Sequence, residues 1–265
     1  MAGFSIVEGS PRTVWMPVSA IAAAAETLYV GQLVTNTVAS VSSGATAFVQ
    51  AGTPDTRVPF GVVVGTNNKE PVFNSTYKCE YITSAVTQAT MVARIWAGAE
   101  GSMSTKGDPT AMVEVAVISP ETVLKGRIFN AAYGTALATG IVTTGTAGTG
   151  FTCAAGLGLT RIAYNSTHYC RSGLNKGIYR ISYDTGTTAQ ATTVYLYYPY
   201  AISAGDVFVT VNLAQGITNI TFDALGTYID GQAAQTATQV ARVLEIDLSV
   251  AGQEYALFQF NPRVI

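Results

Sequence analysis

The chain contains few charged residues. They make up 11% of its 265 residues, whereas soluble globular proteins contain roughly 25%. The net charge is −2, and the 14 lysines and arginines are spread thinly along the sequence. Proteins that bind nucleic acids usually carry a basic stripe or patch. The composition therefore argues against nucleic acid as a partner.

Long apolar runs are also absent, although the mean hydropathy is +0.30. The most apolar region, residues 192–213, is divided by Pro199, Gly205 and Asp206, so it cannot form a spanning helix of about 20 residues. The first eight residues show no basic start and no apolar stretch, and we expect neither a signal peptide nor a membrane partner. A chain this apolar is expected to cover part of its surface in a larger assembly.

Histidine and cysteine are too scarce for a metal centre. The chain has one histidine, His168, and three cysteines, Cys79, Cys153 and Cys170, with no C-x-x-C spacing. A structural zinc site needs four ligands, which would take every histidine and cysteine in the chain without the usual spacing, so we expect no metal and no other cofactor. The cysteines are interpreted as small buried apolar residues or as surface residues without a role, with a Cys153–Cys170 disulfide as the alternative.

No catalytic motif is present either. The sequence lacks a G-x-S-x-G nucleophile turn, although its absence does not exclude His168 from a catalytic triad. Gly145, Gly148 and Gly150 have neither the following Lys-Ser/Thr nor the helix that a phosphate-binding loop requires. We therefore interpret residues 139–152 as a flexible surface loop and predict that the protein is not an enzyme.

What the chain does contain is a series of short runs rich in β-branched and aromatic residues, separated by Gly, Pro, Ser and Asp. This pattern predicts an all-β protein of two small antiparallel β-barrel or β-sandwich domains with an extended N-terminal arm. We place the arm at residues 1–20, the first domain at 21–120 and the second at 121–265. The predicted strands lie within 28–34, 45–50, 59–65, 77–82, 91–96, 112–118, 122–130, 177–183, 191–198, 208–213, 217–222, 240–248 and 255–260.

The start of the chain allows two interpretations. Residues 14–18, around Trp15, are either a first edge strand or part of an arm that places Trp15 against a neighbouring subunit. Residues 19–26 have the propensity for one or two helical turns, with Ser19 as the cap. Eight residues are marginal for a helix, so a lead-in to a strand is the alternative.

Two short segments resemble each other. Residues 29–34 and 203–208 share the order of a small residue, a glycine, a polar residue and two apolar residues. We expect Gly31 and Gly205 to adopt positive φ, with the polar residue after each closing a turn into a strand. The match is too short to establish a repeat.

Tyrosine is the distinctive residue of the second half. Residues 177–200 carry six tyrosines, which form either an interface or sugar-binding face or an aromatic ladder within a sheet. Glu245 and Asp247 share one face of a predicted strand, at a spacing that fits the paired carboxylates of a glycosidase. Two acids on one strand face are more often ordinary surface residues. The predicted interface residues are Trp15, Phe60, Tyr195, Tyr197, Tyr198 and Tyr200.

The strand with a glycine turn at residues 28–34, the strand at 59–64 and the low-charge composition rich in Ala, Gly, Thr, Val and Tyr resemble a tailed-bacteriophage capsid decoration, or cement, protein. Residues 20–120 look like the small barrel, often called a β-tulip, of such proteins. The resemblance implies a location on the capsid surface of the virion. It also implies binding across subunits of the major capsid protein, often as a homotrimer at local threefold positions, and reinforcement of the shell against the pressure of packaged DNA.

We therefore expect a structural virion protein, with a decoration role favoured over a tail protein, fibre or baseplate. The alternative is a carbohydrate-binding β module or a glycan hydrolase. It would use Tyr195, Tyr197, Tyr198 and Tyr200 as a sugar platform and Glu245 with Asp247 as acids.

Overall fold

The computed structural model describes most of the chain. The described residues are 3–18, 26–41, 44–51, 59–83, 111–137, 139–146, 150–153, 167–180, 183–184, 193–195, 199–232 and 240–260. They form strands and turns, with no helix among them. The all-β prediction is confirmed.

The strands are short, as the frequent Gly, Pro, Ser and Asp residues require. They are β1 (Phe4–Glu8), β2 (Thr13–Pro17), β3 (Thr27–Tyr29), β4 (Leu33–Val41), β5 (Gly44–Ala51), β6 (Gly61–Thr66), β7 (Tyr81–Thr83), β8 (Met112–Val117), β9 (Val123–Phe129), β10 (Thr139–Thr146), β11 (Gly150–Cys153), β12 (Thr167–Cys170), β13 (Gly177–Arg180), β14 (Tyr183–Asp184), β15 (Thr193–Tyr195), β16 (Val207–Val211), β17 (Gly216–Asn219), β18 (Ile229–Asp230), β19 (Val240–Asp247) and β20 (Tyr255–Phe260).

The chain divides into two compact units. Unit 1 comprises Met1–Leu124, Phe222–Tyr228 and Phe260–Ile265, and unit 2 comprises Lys125–Thr221 and Ile229–Gln259. The chain therefore passes from unit 1 to unit 2 within β9. Two short segments from the second half of the sequence belong to unit 1.

Unit 1 is built on a five-stranded sheet in the order β2-β8-β6-β4-β5, with β3 and β7 paired beside it in a sheet of two strands. Its pairs are antiparallel, and a bulge between Val63 and Gly65 interrupts the pairing of β6 with β8. Apolar side chains from both sheets and the adjoining turns form the core: Met16, Val18, Leu28, Val34, Val63, Ile82, Ala111, Val113 and Val115.

The start of the chain forms the edge of this sheet. β2 pairs with β8 over its whole length, and Trp15 lies opposite Glu114. Of the two interpretations of residues 14–18, the structure shows the edge strand. The helical turns expected at residues 19–26 fall mostly outside the described residues, as does the strand expected at 91–96.

Unit 2 contains a seven-stranded sheet in the order β13-β12-β16-β10-β11-β15-β14. Its other sheet has β9, β20, β19 and β17 as successive neighbours, and β18 runs parallel to β9. Of the strands predicted at 177–183 and 191–198, the ends near the intervening turn form β14 and β15, which pair Tyr183 with Tyr195. β13 instead pairs with β12.

The glycine-rich stretch at residues 139–152 is not the flexible loop that its composition indicated. It forms β10 and β11, paired antiparallel from Val142 with Cys153 to Thr146 with Gly150. The threonines between the glycines are β-branched and favour extended backbone. Pairing on both sides of β10 supplies the hydrogen bonds that a loop would take from water.

The two turns that resemble each other in sequence also share a geometry. Gly31 and Gly205 have φ of 91° and 95°, which suits the third residue of a type II turn. The Gln32 N–H donates to Tyr29 O at 3.0 Å, and the Tyr29 N–H donates to Gln32 Oε1 at 2.9 Å. In the other turn, the Asp206 N–H donates to Ser203 O at 3.1 Å, and the Ser203 N–H donates to Asp206 Oδ2 at 3.0 Å.

A third turn uses the same pair of bonds without a glycine. The Thr122 N–H donates to Ser119 O, and the Ser119 N–H donates to Thr122 Oγ1, both at 3.0 Å. In all three turns the residue that supplies the accepting side chain directly precedes a strand: β4, β9 and β16. The prediction of the two glycine turns is confirmed, and the third is a further use of the same device.

The segment 222–228 belongs to unit 1 through a buried glutamine. Gln32 is fully buried, and its Nε2 donates to Leu225 O at 2.6 Å, while the neighbouring Leu33 N–H donates to Gly226 O at 2.8 Å. The Asp223 carboxylate organises the segment by accepting from the N–H groups of Thr227 and Tyr228. These contacts tie seven residues that come late in the sequence to the first glycine turn.

Candidate interaction surface

The single histidine lies in the interior of unit 2. His168 is fully buried in β12, and its Nδ1 hydrogen-bonds with Thr210 Oγ1 on β16. Burial lowers the pKa of its imidazole to about 3. A histidine without access to solvent cannot transfer a proton to or from a substrate. His168, which the sequence did not exclude from a catalytic triad, therefore has a structural position.

The cysteines whose side chains the structure describes are buried and free. Cys79 and Cys170 form no disulfide, which removes the alternative of a Cys153–Cys170 bond. Burial raises the pKa of the Cys170 thiol to about 11, and its Sγ donates to Ser172 O. Within the described ranges, no group of three or more His, Cys, Asp and Glu residues is arranged to hold a metal ion.

Glu245 and Asp247, the two candidate acids, converge on Tyr255 of the neighbouring strand β20. The Tyr255 hydroxyl donates to Glu245 Oε1 at 2.9 Å, and this bond raises the pKa of the phenol to about 12. Hydrogen bonding to Ser249 lowers the pKa of Asp247. Lys125 Nζ lies 3.8 Å from the centre of the Tyr255 ring. The ammonium group therefore covers one face of the ring that a sugar would need for stacking.

The predicted interface residues that the structure describes are divided between the two units. Trp15 is half-buried in β2, and Phe60 is half-buried against the core of unit 1. Tyr200, in unit 2, is 58% exposed. The backbone of Tyr195 lies in β15, and its side chain, like all of Tyr197 and Tyr198, falls outside what the structure describes.

The exposure of Tyr200 is maintained by a buried asparagine. Asn175 Nδ2 donates to Tyr200 O at 3.0 Å, and the Tyr200 N–H donates to Asn175 Oδ1 at 3.1 Å. Asn175 is 1% exposed, whereas its neighbour Leu174 is 77% exposed. The carboxamide thus joins two turns of unit 2, each of which presents a large side chain to solvent. We call Leu174 and Tyr200 the unit 2 patch.

Unit 1 presents a second exposed apolar pair, which the sequence analysis missed. Val72 is 46% exposed and Phe73 is 67% exposed, next to each other in the connection between β6 and β7. We call residues 67–80 the 67–80 loop. The sequence contained a signal for this pair. Val72-Phe73 is an isolated apolar dipeptide among turn residues, without the alternation of apolar and polar residues that marks a half-buried strand.

Hydrogen bonds hold the 67–80 loop at its base. The buried Asn67 accepts from the Met112 N–H through Oδ1 at 2.9 Å, and its own N–H donates to Met112 O at 3.1 Å. Asn68 Nδ2 donates to Tyr81 O at 2.9 Å. Both ends of the loop are therefore fixed to strands of unit 1.

The tip of the loop is fixed by Asn74. Its Oδ1 accepts from the N–H groups of Thr76 and Tyr77, each at 2.9 Å, and its carbonyl accepts from Lys78, which has φ of 56°. This capped turn explains why the strand predicted at 77–82 is wrong at its start. The asparagine side chain satisfies backbone groups locally, and β7 begins only at Tyr81.

Three tyrosine rings pack together at the 67–80 loop: Tyr77 in the loop itself, and Tyr29 and Tyr81 in β3 and β7. The ring of Tyr29 lies 4.7 Å from that of Tyr77 and 6.1 Å from that of Tyr81, measured between ring centres. Such tilted pairs add stability beyond the area they bury. The structure therefore shows an aromatic cluster in unit 1. Of the six tyrosines at residues 177–200, only the side chain of Tyr200 lies within what the structure describes.

No family model, no curated protein and no solved structure matches this chain. In the part of the chain that the structure describes, no helix is long and apolar enough to span a membrane.

Proposed function

We propose that this protein is a structural component of a virus particle, a cement protein that binds neighbouring subunits of a capsid shell. The observation that carries the proposal is the presence of an exposed apolar patch on each compact unit: Val72 with Phe73 on unit 1, and Leu174 with Tyr200 on unit 2. A protein that joins two partners needs at least two binding surfaces.

Both patches lie on loops whose backbone is held by buried asparagines, Asn67 in unit 1 and Asn175 in unit 2. Rigid loops lose little conformational entropy when they bind, so even small contacts contribute to affinity. Two modest contacts on one chain multiply each other through effective concentration. This gain in affinity from two linked contacts suits a cement protein, whose many copies each bridge a small area of the shell.

The charge and chemistry of the chain support the same role. Charged residues are few, and the described histidine, cysteines and paired carboxylates are engaged in structural contacts. We extend the proposal to a role like that of the bacteriophage decoration proteins that the sequence resembles. It includes association of copies of the chain and a position on the outer surface of the capsid.

The test is cryo-electron microscopy of particles from the source culture. We expect density for this chain in a regular array on the icosahedral shell. Density only on the tail would keep a virion role and exclude the cement mechanism. Absence from the particles would contradict the proposal and make glycan binding, tested on an array with the Glu245→Gln variant as control, the next hypothesis.

A further inference from the structure

Val72 and Phe73 are two exposed apolar residues of unit 1 that are neighbours in the chain. Phe73 is 67% exposed, although aromatic side chains are usually buried. Hydrogen bonds fix the backbone of both residues: the Tyr81 N–H donates to Val72 O at 3.0 Å, and Phe73 forms a β-bridge with Glu80. An exposed aromatic side chain on a fixed backbone has the form of an interface anchor.

The loop that carries these two residues also contains charged residues of both signs. The 14 residues of the 67–80 loop include two lysines and two glutamates, whereas the whole chain is only 11% charged. Lys69, Glu70 and Lys78 are exposed. Glu80 is half-buried and accepts hydrogen bonds from Thr66 Oγ1 and Asn68 Nδ2. The loop therefore carries exposed apolar residues and charges of both signs, with no net charge. We call its four charged residues the rim.

This distribution fits a second copy of the same surface. In a twofold contact each patch faces itself, so its charges must be complementary under the symmetry operation. A rim of one sign would repel its copy, whereas a rim with adjacent Lys69 and Glu70 can place each charge near its opposite. Nucleic acid and anionic membranes would favour a basic rim instead.

We propose that the 67–80 loop is a self-association surface through which two copies of this chain pair about a twofold axis, with Phe73 at the centre of the contact. A contact between two such loops is smaller than a standard protein interface, so the dimer is weak, with a dissociation constant in the micromolar range. The pairing uses Val72 and Phe73, so within the proposed function each copy would contact the capsid through the unit 2 patch, Leu174 with Tyr200.

The experiment is sedimentation velocity of the purified full chain from about 1 to about 100 µM, a range that spans the affinity of small interfaces. We expect a reversible equilibrium of monomer and dimer. Phe73→Ser should raise the dissociation constant at least about tenfold, because an interface anchor contributes more than about 1.4 kcal/mol. Ile217→Ser, which removes a similarly exposed aliphatic side chain of unit 2, should leave the constant unchanged.

Charge reversal supplies a second test that damage to the fold cannot imitate. Lys69→Glu and Glu70→Lys give rims of net negative and net positive charge, and each variant alone should dimerise more weakly than the unaltered chain. An equal mixture of the two should recover association, and added salt should reduce the difference between them.

Three results would overturn the inference. They are a monomer at every concentration, a trimer in place of the dimer, or a Phe73→Ser variant that associates like the unaltered chain. A mixture of the charge variants that fails to associate would contradict the twofold arrangement. None of these results decides whether the chain is found on virus particles, which cryo-electron microscopy tests separately.

Discussion

Arg171 and Glu254 form an ion pair inside unit 2. Arg171 Nη2 lies 2.5 Å from Glu254 Oε1, and the two side chains are 14% and 2% exposed. Arg171 Nε also donates to Leu248 O at 2.9 Å, and Glu254 O accepts from the Ile128 N–H. The pair connects the end of β12 with the turn between β19 and β20, and thereby joins the two sheets of unit 2.

Glu254→Gln should destabilise the protein by about 3 kcal/mol, because it leaves the arginine charge largely buried without its partner. Urea unfolding followed by circular dichroism would measure the change. Glu245→Gln is the matched control, since Glu245 is an exposed carboxylate on β19, and its loss should cost less than about 1 kcal/mol. Equal effects of the two variants would show that the buried pair adds no more than a surface contact.

His168 should make stability depend on pH. Burial lowers the pKa of His168 to about 3 in the folded state, whereas an unfolded histidine titrates near 6.5. The contribution is fully present above pH 6.5 and is lost as the pH falls toward 3, because only the unfolded chain then binds the proton. Between pH 7 and 5 the loss should be about 2 kcal/mol.

The measurement is urea unfolding of the unaltered chain and of His168→Gln at both pH values. The glutamine variant should be less stable at pH 7 but lose about 2 kcal/mol less on acidification, since carboxylates titrate alike in both proteins. Parallel losses in the two proteins would contradict the buried, neutral imidazole.

Gln32→Met should release the segment 222–228 within unit 1. The substitution leaves Leu225 O and the Tyr29 N–H without the side chain that bonds them. Buried polar groups left in this way cost about 1–3 kcal/mol each. Hydrogen exchange measured by mass spectrometry should become faster in peptides that cover residues 222–228. Gln215→Met, which alters an exposed side chain bonded to Leu244 O, should leave that exchange unchanged.

Two glycines allow steric conflict to be separated from backbone strain. Gly173 and Gly205 both have positive φ. A Cβ at residue 205 would meet no atom within 4 Å, whereas one at residue 173 would lie 2.2 Å from Asp206 Oδ1. Gly205→Ala should therefore cost only the strain of the left-handed backbone, about 1–2 kcal/mol.

Gly173→Ala adds a collision to the same strain. It pushes on the carboxylate that closes the 203–206 turn, and we expect it to cost at least about 2 kcal/mol more than Gly205→Ala. Thermal unfolding of both variants would test this difference. Similar melting temperatures would mean that Asp206 moves aside without loss.

Much of the fold follows from local sequence. β20 begins and ends where the alternation of Tyr255–Phe260 predicts, and β19 falls within the run predicted at 240–248. The turns at Gly31 and Gly205 were predictable because their positive φ depends on the glycine itself and not on distant contacts. The burial of Cys79 and Cys170 also followed from composition, since a free cysteine behaves as a small apolar residue.

Other features were decided by contacts between residues far apart in the sequence. In the glycine-rich stretch at 139–152, the strand β10 pairs with β16, which comes much later in the sequence. Segment 222–228 joined unit 1 because Gln32, 193 residues away from Leu225, offered an amide donor. A local pattern carries no information about either partner.

The candidate site shows the same division. The sequence determined an all-β chain of low charge without a catalytic motif, because strand periodicity, turn residues and composition are properties of neighbouring residues. Only the tertiary structure decided which apolar side chains face solvent: Phe60 packs against a core, whereas Phe73 and Leu174 lie on turns that buried asparagines hold. Exposure is set by what the rest of the chain covers, and that depends on long-range packing.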